Sequence, residues 1–247
     1  MANWNEPQPT RTGFGASPSL DGRGIGRAGY DAGLRRYMLS IYNYMASGVL
    51  LSGVVALLFA RSGMAAQMLG SPLLWLVMLA PLGIVFAMSF GAARMQTSTL
   101  QALFWGFCVL MGLSMSTIFL VYTGASIATT FFATAGAFAG LSLVGYTTKR
   151  DLSAMGSFMA MGLIGIIIAM VINMFLRSSG LQFAISILGV LIFAGLTAWD
   201  TQRLKQQYYQ LAGTEFIGKA VVMGALSLYL DFINMFQFLL QFMGNRR

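Results

Sequence analysis

Seven apolar runs follow one another along the chain, at residues 37–60, 72–92, 100–121, 126–146, 155–176, 181–200 and 218–243. A helix needs about 20 mostly apolar residues to cross the hydrocarbon core of a bilayer. The runs are too long and too continuous for the alternating strands, each of about ten residues, of a membrane barrel. Helices satisfy their backbone hydrogen bonds within one segment, which lipid demands. The expected fold class is therefore an all-α integral membrane protein, a bundle of seven transmembrane helices. Pro81 is expected to kink the second span. Gly136 and Gly140 are expected to let a neighbouring helix approach the fourth span closely.

Composition narrows the choice further. Of the 247 residues, 57% are apolar and 9% are charged. A soluble enzyme domain is excluded by that balance, as is a disordered chain. Residues 37–247 are expected to form a single transmembrane domain. Residues 1–36, rich in Gly, Pro, Ser and Arg, are expected to be a disordered basic cytoplasmic tail near anionic lipid. No apolar signal-peptide core lies in that tail. Gly24-Ile-Gly-Arg-Ala-Gly29 matches the G-x-G-x-x-G pattern, but no strand precedes it, so nucleotide binding is not expected. His is absent. The one Cys, Cys108, lies inside an apolar run, so an internal disulfide is impossible and a thiolate metal site is excluded.

The net charge of +8 is spread over short stretches between the runs. That reads as topology rather than nucleic-acid binding. With seven spans and the N-terminus inside, the inner side carries Arg11, Arg23, Arg27, Arg35, Arg36, Arg94, Lys149, Arg150, Arg203, Lys205 and Lys219. The outer side carries Arg61, Arg177, Arg246 and Arg247. The N-terminus is thus expected in the cytoplasm. The same count does not separate seven spans from six plus a re-entrant segment. The length of 218–243 favours a full crossing.

Two of the seven acids lie within the apolar runs. Asp231 is well inside the last, and Asp200 is at the inner end of the sixth. An Asp at the centre of a membrane helix costs about 2.5–3.5 kcal/mol on insertion scales. An acid retained there marks a functional site by default. At 100° per residue, Ser227, Asp231, Asn234, Gln237 and Gln241 occupy one arc of about 120° on the last helix. Such a polar stripe faces protein or water, which puts the last helix at the bundle centre. Ser186, Gly189 and Thr197 lie within about 60° of Asp200 on the sixth helix. If these faces meet, two carboxylates approach each other, resist double ionisation and titrate as a unit. A purely structural hydrogen-bond seam between the helices is the alternative. Arg94, at the inner end of the second span, is at the depth of Asp200, as a partner for the pair or as a simple positive-inside anchor. Calcium takes 6–8 oxygen ligands. Asp200 and Asp231, with Asn234, hydroxyls and water, offer it a weak or transient site, and magnesium or a proton fits nearly as well.

Ala225-Leu-Ser-Leu-Tyr-Leu-Asp-Phe-Ile-Asn-Met-Phe236 resembles the last-helix signature of the Bax inhibitor-1 family, also called the transmembrane Bax inhibitor motif family. Trp199-Asp-Thr-Gln202 resembles the family's aromatic-Asp motif at the end of the sixth helix. Lys149-Arg-Asp-Leu-Ser153 resembles its basic loop after the fourth. The likeness is strong from about Lys149 to Gly244, diffuse over the earlier spans and absent from the tail. It implies seven helices with the last one central. It also implies a pH-sensitive calcium leak with an aspartate pair as sensor, a role that falls on Asp200 and Asp231. In this family an Arg at the end of the second helix acts as a latch, and Arg94 matches by position. The stretch between the two acids, through Gln206 to Thr214, is longer than in some relatives.

The expected function is a pH-gated calcium or cation leak in a bacterial inner membrane. Its partners would be the lipid bilayer, calcium and protons, with no nucleic acid and no cofactor. Two other functions stand beside it. One is a non-conducting regulator of a membrane-bound protease, contacted through the basic tail. The other is a proton-coupled transporter of a small solute, which needs broken helices or a polar midplane cavity. An enzyme is not expected. The Gly-Asp context of intramembrane aspartyl proteases is absent at both acids, and no nucleophile–His pair can exist.

Overall fold

The structure, a computed structural model, describes the backbone of residues 22–68 and 70–246, and the side chains of residues 32–68 and 70–246. Among the described residues the regular structure is helix alone, with one isolated bridge. The helices are α1 (Gly22–Arg61), α2 (Met64–Met68), α3 (Leu73–Gly91), α4 (Thr97–Met115), α5 (Ile118–Val121), α6 (Gly124–Thr147), α7 (Ser153–Leu176), α8 (Ser179–Leu211) and α9 (Ile217–Met243). Seven spans are long and apolar enough to cross a membrane, α4 and α5 together forming the third. They coincide with the seven apolar runs. Pro81 lies inside α3.

Turn chemistry separates the helices. The Thr123 side chain accepts from Ser126 N at the start of α6, and Ser178 accepts from Leu181 N at the start of α8. Each satisfies an amide that the first turn leaves free. Between α7 and α8, Arg177 closes the turn with φ of 50°. Asn173 holds it from both sides: its carbonyl accepts Arg177 N at 2.7 Å and its Oδ1 accepts Ser178 N at 3.0 Å.

The α9 helix is the axis of the bundle. In its most apolar window 67% of residues are buried, against 11% for α7. It packs against α1, α4, α6 and α8, while α3 leans on α4 and α7 on α8. Inside lipid, helices gain little from burying apolar surface and associate by close packing and hydrogen bonds. Ser52 of α1 supplies one such bond set. Its hydroxyl accepts from Tyr229 of α9 at 2.6 Å and reaches the Cys108 carbonyl of α4 at 2.7 Å. Phe107 and Phe104 pack edge-on around the same Tyr229 ring.

The chain's last residues meet the α5–α6 turn. Tyr122 bridges Arg246, and Thr123 N bonds Asn245 O at 3.1 Å. At the other end Lys219 bonds the Ala93 carbonyl and Lys205 the Tyr146 carbonyl. The start and finish of α9 therefore lie at opposite ends of the bundle, so the last segment crosses rather than returns.

Three expectations need correction. First, α1 begins at Gly22, so residues 22–36 are helical rather than a disordered tail. Leu34 and Tyr37 explain the extension: both are buried, and Tyr37 stacks on Tyr208 of α8 at 5.3 Å. The Gly24–Gly29 pattern thus lies on a helix, not in a phosphate-cradling turn. Residues 1–21 lie outside the described residues. Second, α8 runs on to Leu211, which places Asp200 about three turns inside a helix and not at its end. Third, Gly136 and Gly140 face open space. The close approach on α6 occurs at Gly145, where an added Cβ would meet the Ala198 carbonyl of α8.

Candidate ion site

Asp200 is positioned by a four-residue stretch of α8 in which each residue serves a different neighbour. Successive residues on a helix point 100° apart. Trp199 lays its ring against Gly156 of α7, where a side chain would collide with it. Asp200 turns to α9. Thr201 turns to α6: its Oγ1 lies 2.9 Å from Ser142 Oγ, and Ser142 is bonded in turn to the Tyr42 hydroxyl of α1. Thr201 donates to the Thr197 carbonyl at 2.9 Å, which makes this a directed chain of hydroxyls from α1 to α8. Gln202 clamps the loop between α6 and α7. Its Nε2 donates to the Arg150 carbonyl at 2.7 Å and its Oε1 accepts Leu152 N at 2.8 Å. In that loop Asp151 accepts from both the amide and the hydroxyl of Ser153, and these bonds hold its carboxyl below the ordinary value.

Asp200 is buried, and each of its carboxyl oxygens has a polar neighbour. Its relative exposure is 5%. Oδ2 accepts from Ser227 Oγ of α9 at 2.7 Å. Oδ1 ion-pairs with Arg203 Nη2 at 3.0 Å. The Arg203 guanidinium also donates to Ser227 Oγ at 3.0 Å and lies 4.7 Å over the Trp199 ring. Ser227 is thus an acceptor from the cation and a donor to the acid.

Asp231, one turn on from Ser227, is equally buried. Ser227, one turn before it on α9, bonds Asp200, which brings the two acids to the same α8–α9 contact. Asp231 Oδ2 is buried without a donor among the described residues. Ionised carboxylates are acceptors only, so in that form neither acid can donate to the other. The site therefore holds two buried acids and one cation.

The remaining sequence candidates separate into two groups. Ser186 and Gly189 of α8 face α9 as expected: Ser186 lies 3.5 Å from Gln241 Oε1, and Gly189 is covered by the Phe238 ring. Thr197 is buried and bonds the Phe193 carbonyl of its own helix. Of the α9 stripe, Ser227 and Asp231 join the acid cluster, while Asn234 returns its amide to the Leu230 carbonyl at 2.8 Å. Gln237 and Gln241 line a different space, a cavity of about 350 Å³ shared with Ser114 and Thr117. Gln241 also accepts from Gln182 at 2.7 Å, and Gln182 accepts from Asn173 at 3.0 Å. That cluster lies toward the chain's C-terminal end, two turns of α9 beyond Asp231.

Arg94 is not in the cluster. It is exposed at the end of α3 and pairs with neither acid. The cation on Asp200 is Arg203, and sequence reasoning placed Arg203 only among the inner-side charges. The signal was present: acid and base three residues apart on a helix face each other. It was missed because Asp200 was expected to end its helix. For calcium, the pair offers two carboxylates. No group of three or more His, Cys, Asp or Glu comes together among the described residues. Such a donor set suits a passing ion rather than a tightly held one.

Comparison with known proteins agrees with this architecture. Residues 34–247 match the family described as inhibitor of apoptosis-promoting Bax1. A protein of Rickettsia prowazekii is 50% identical over 220 residues, covering 88% of this chain and 93% of its own. The inner membrane protein YbhL of Escherichia coli is 44% identical over 220 residues, 87% of this chain and 94% of its own. A membrane protein of Streptococcus pyogenes is 36% identical over 218 residues, 87% of this chain and 94% of its own. With a match from Leu34 of α1 to the last residue, this multi-pass chain belongs to the Bax inhibitor-1 family.

Proposed function

We propose that the chain is a pH-gated leak for calcium across a bacterial inner membrane, with the Asp200–Asp231 pair as its proton sensor. One observation carries the reading. The buried Asp200 of α8 bonds Ser227 of the central helix, one turn from the buried Asp231, and half-exposed Arg203 ion-pairs with Asp200. Protonation changes how much negative charge Arg203 has to hold, and with it the contact between α8 and α9. In this reading Arg203, rather than Arg94, is the latch. The Lys- and Arg-rich end of the bundle faces the cytoplasm, in keeping with the positive-inside pattern.

The cavity at Gln237 and Gln241 is the candidate entrance from the opposite side. It ends about 9 Å short of Asp231, six residues of α9 at 1.5 Å each. Asn234 stands between. In this reading a shift of α8 against α9 would join the cavity to the acids.

Calcium entry into dye-loaded liposomes tests the proposal, across pH 5–8, for wild type and for Asp200→Asn and Asp231→Asn. The expected result is a pH-dependent flux that both substitutions abolish or flatten. Wild-type flux equal to that of empty vesicles at every pH would end the leak reading. Regulation of a membrane protease would then be pursued by partner capture.

A further inference from the structure

A cleft of about 730 Å³ runs between α1 and α6. Both helices pack on α9 and α8, yet they make no extended contact with each other. The walls are apolar, among them Met38, Ala46, Phe131 and Ala139. Leu39, Leu50 and Leu143, on the same walls, are at least half exposed and face where lipid lies. The polar lining is confined to one part. Arg35 and Tyr146 stand at the Lys- and Arg-rich end, and Tyr42 and Ser142 bond to each other across the floor. A second cation, Lys205 Nζ, sits 5.0 Å over the Tyr146 ring and bonds the Tyr146 carbonyl at 2.9 Å.

This polarity matches one occupant. An apolar trough that opens sideways and ends at Arg35, with Lys205 held on the carbonyl and ring of its wall residue Tyr146, is complementary to a phospholipid whose chain lies along the helices and whose phosphate meets Arg35. The volume is in the range of ordinary ligand pockets, about 300–1,000 Å³. Basic residues between membrane helices at this depth bind anionic headgroups. We infer that the α1–α6 cleft is a binding site for a membrane phospholipid with an anionic headgroup. The site adjoins the acid pair without being part of it. Phe232, next to Asp231, lines the cleft, and Ser142 bonds Thr201, next to Asp200.

Native mass spectrometry of the purified full chain tests the inference, with phosphatidylglycerol or phosphatidylcholine added to the detergent. Wild type is expected to retain one phosphatidylglycerol at least fivefold over phosphatidylcholine. Ala46→Trp and Ala139→Trp, two separate ways to fill the trough at exposed positions, are expected to lose that retention. Arg35→Gln combined with Lys205→Gln is expected to erase the headgroup preference. Ile168→Trp, on the lipid-facing side of α7, serves as the control and is expected to behave as wild type. Equal retention in wild type and both filled variants would overturn the inference, as would the absence of a headgroup preference in wild type. Crosslinks from Ala46→Cys to a second copy of this chain in liposomes would overturn it too, assigning the cleft to a chain–chain contact. The readout is lipid, so the result is independent of whether calcium passes.

Discussion

Arg203 reaches back one turn of α8 to Asp200, Nη2 to Oδ1 at 3.0 Å, while Ser227 of α9 bonds both. One cation and one hydroxyl thereby join two helices at the only ion pair among the described residues. Arg203 is 45% exposed. Solvent screening limits such a pair to about 0.5–1 kcal/mol. Replacing Arg203 with Gln is therefore expected to raise calcium flux at neutral pH about two- to fivefold. Arg203→Lys, which keeps the charge and loses the planar fork, is expected to fall between. Arg94→Gln is expected to leave the pH profile unchanged. The same liposome assay reads all three.

Close helix packing gives a second expectation. A Cβ at Gly145 would meet the Ala198 carbonyl, and one at Gly156 the Trp199 ring. Overpacking of this kind costs about 1–3 kcal/mol. Gly145→Val and Gly156→Val are expected to lower the melting temperature in detergent, followed by tryptophan fluorescence. Gly136→Ala and Gly140→Ala, which meet open space, are expected to melt as wild type does.

Gln202 closes the α6–α7 loop with two side-chain bonds. Gln202→Ala removes both and leaves the amide of Leu152 without its partner, a loss of about 1–3 kcal/mol. The loop carries Lys149 and Arg150, which trypsin recognises. Limited proteolysis is expected to cut the variant there several-fold faster than wild type, with the rest of the bundle intact. Equal cutting rates would show that Gln202 does not order the loop.

Asp151 sets a pH dependence outside the membrane. Its two bonds from Ser153 hold the carboxyl below the ordinary value of 3.8. A depressed folded value stabilises above the unfolded value and is lost as pH falls through it. The start of α7 is thus expected to be fully ordered at neutral pH and to loosen below about pH 4. Hydrogen exchange at residues 153–157, corrected for intrinsic rate, follows this. Asp151→Asn is expected to flatten the response across pH 3–7.

Much of the fold was legible in residue order. Span length and apolar continuity located all seven crossing helices, and the stripe from Ser227 to Gln241 put α9 at the centre. The misreadings share a cause. Hydropathy falls after Asp200, which suggests a helix end there, yet Arg203, Lys205 and Gln206 continue α8 as helix. Hydropathy marks where lipid stops, and backbone hydrogen bonding is indifferent to that boundary. Gly136 and Gly140 were read as a packing face because small residues permit close approach. Permission is not contact, and Gly145, one turn further, is where α8 lies.

The sequence by itself determined that this chain crosses a membrane seven times and carries two acids in apolar surroundings. Both follow from local properties, the length of each run and the charge of each side chain. Only the tertiary structure decided that Ser227 of α9 bonds Asp200 one turn from Asp231, and that Arg203 rather than Arg94 pairs with Asp200. Those contacts depend on the relative rotation and depth of α8 and α9. Both are set by packing between helices, such as the Phe238 ring against Gly189, which neither helix encodes alone.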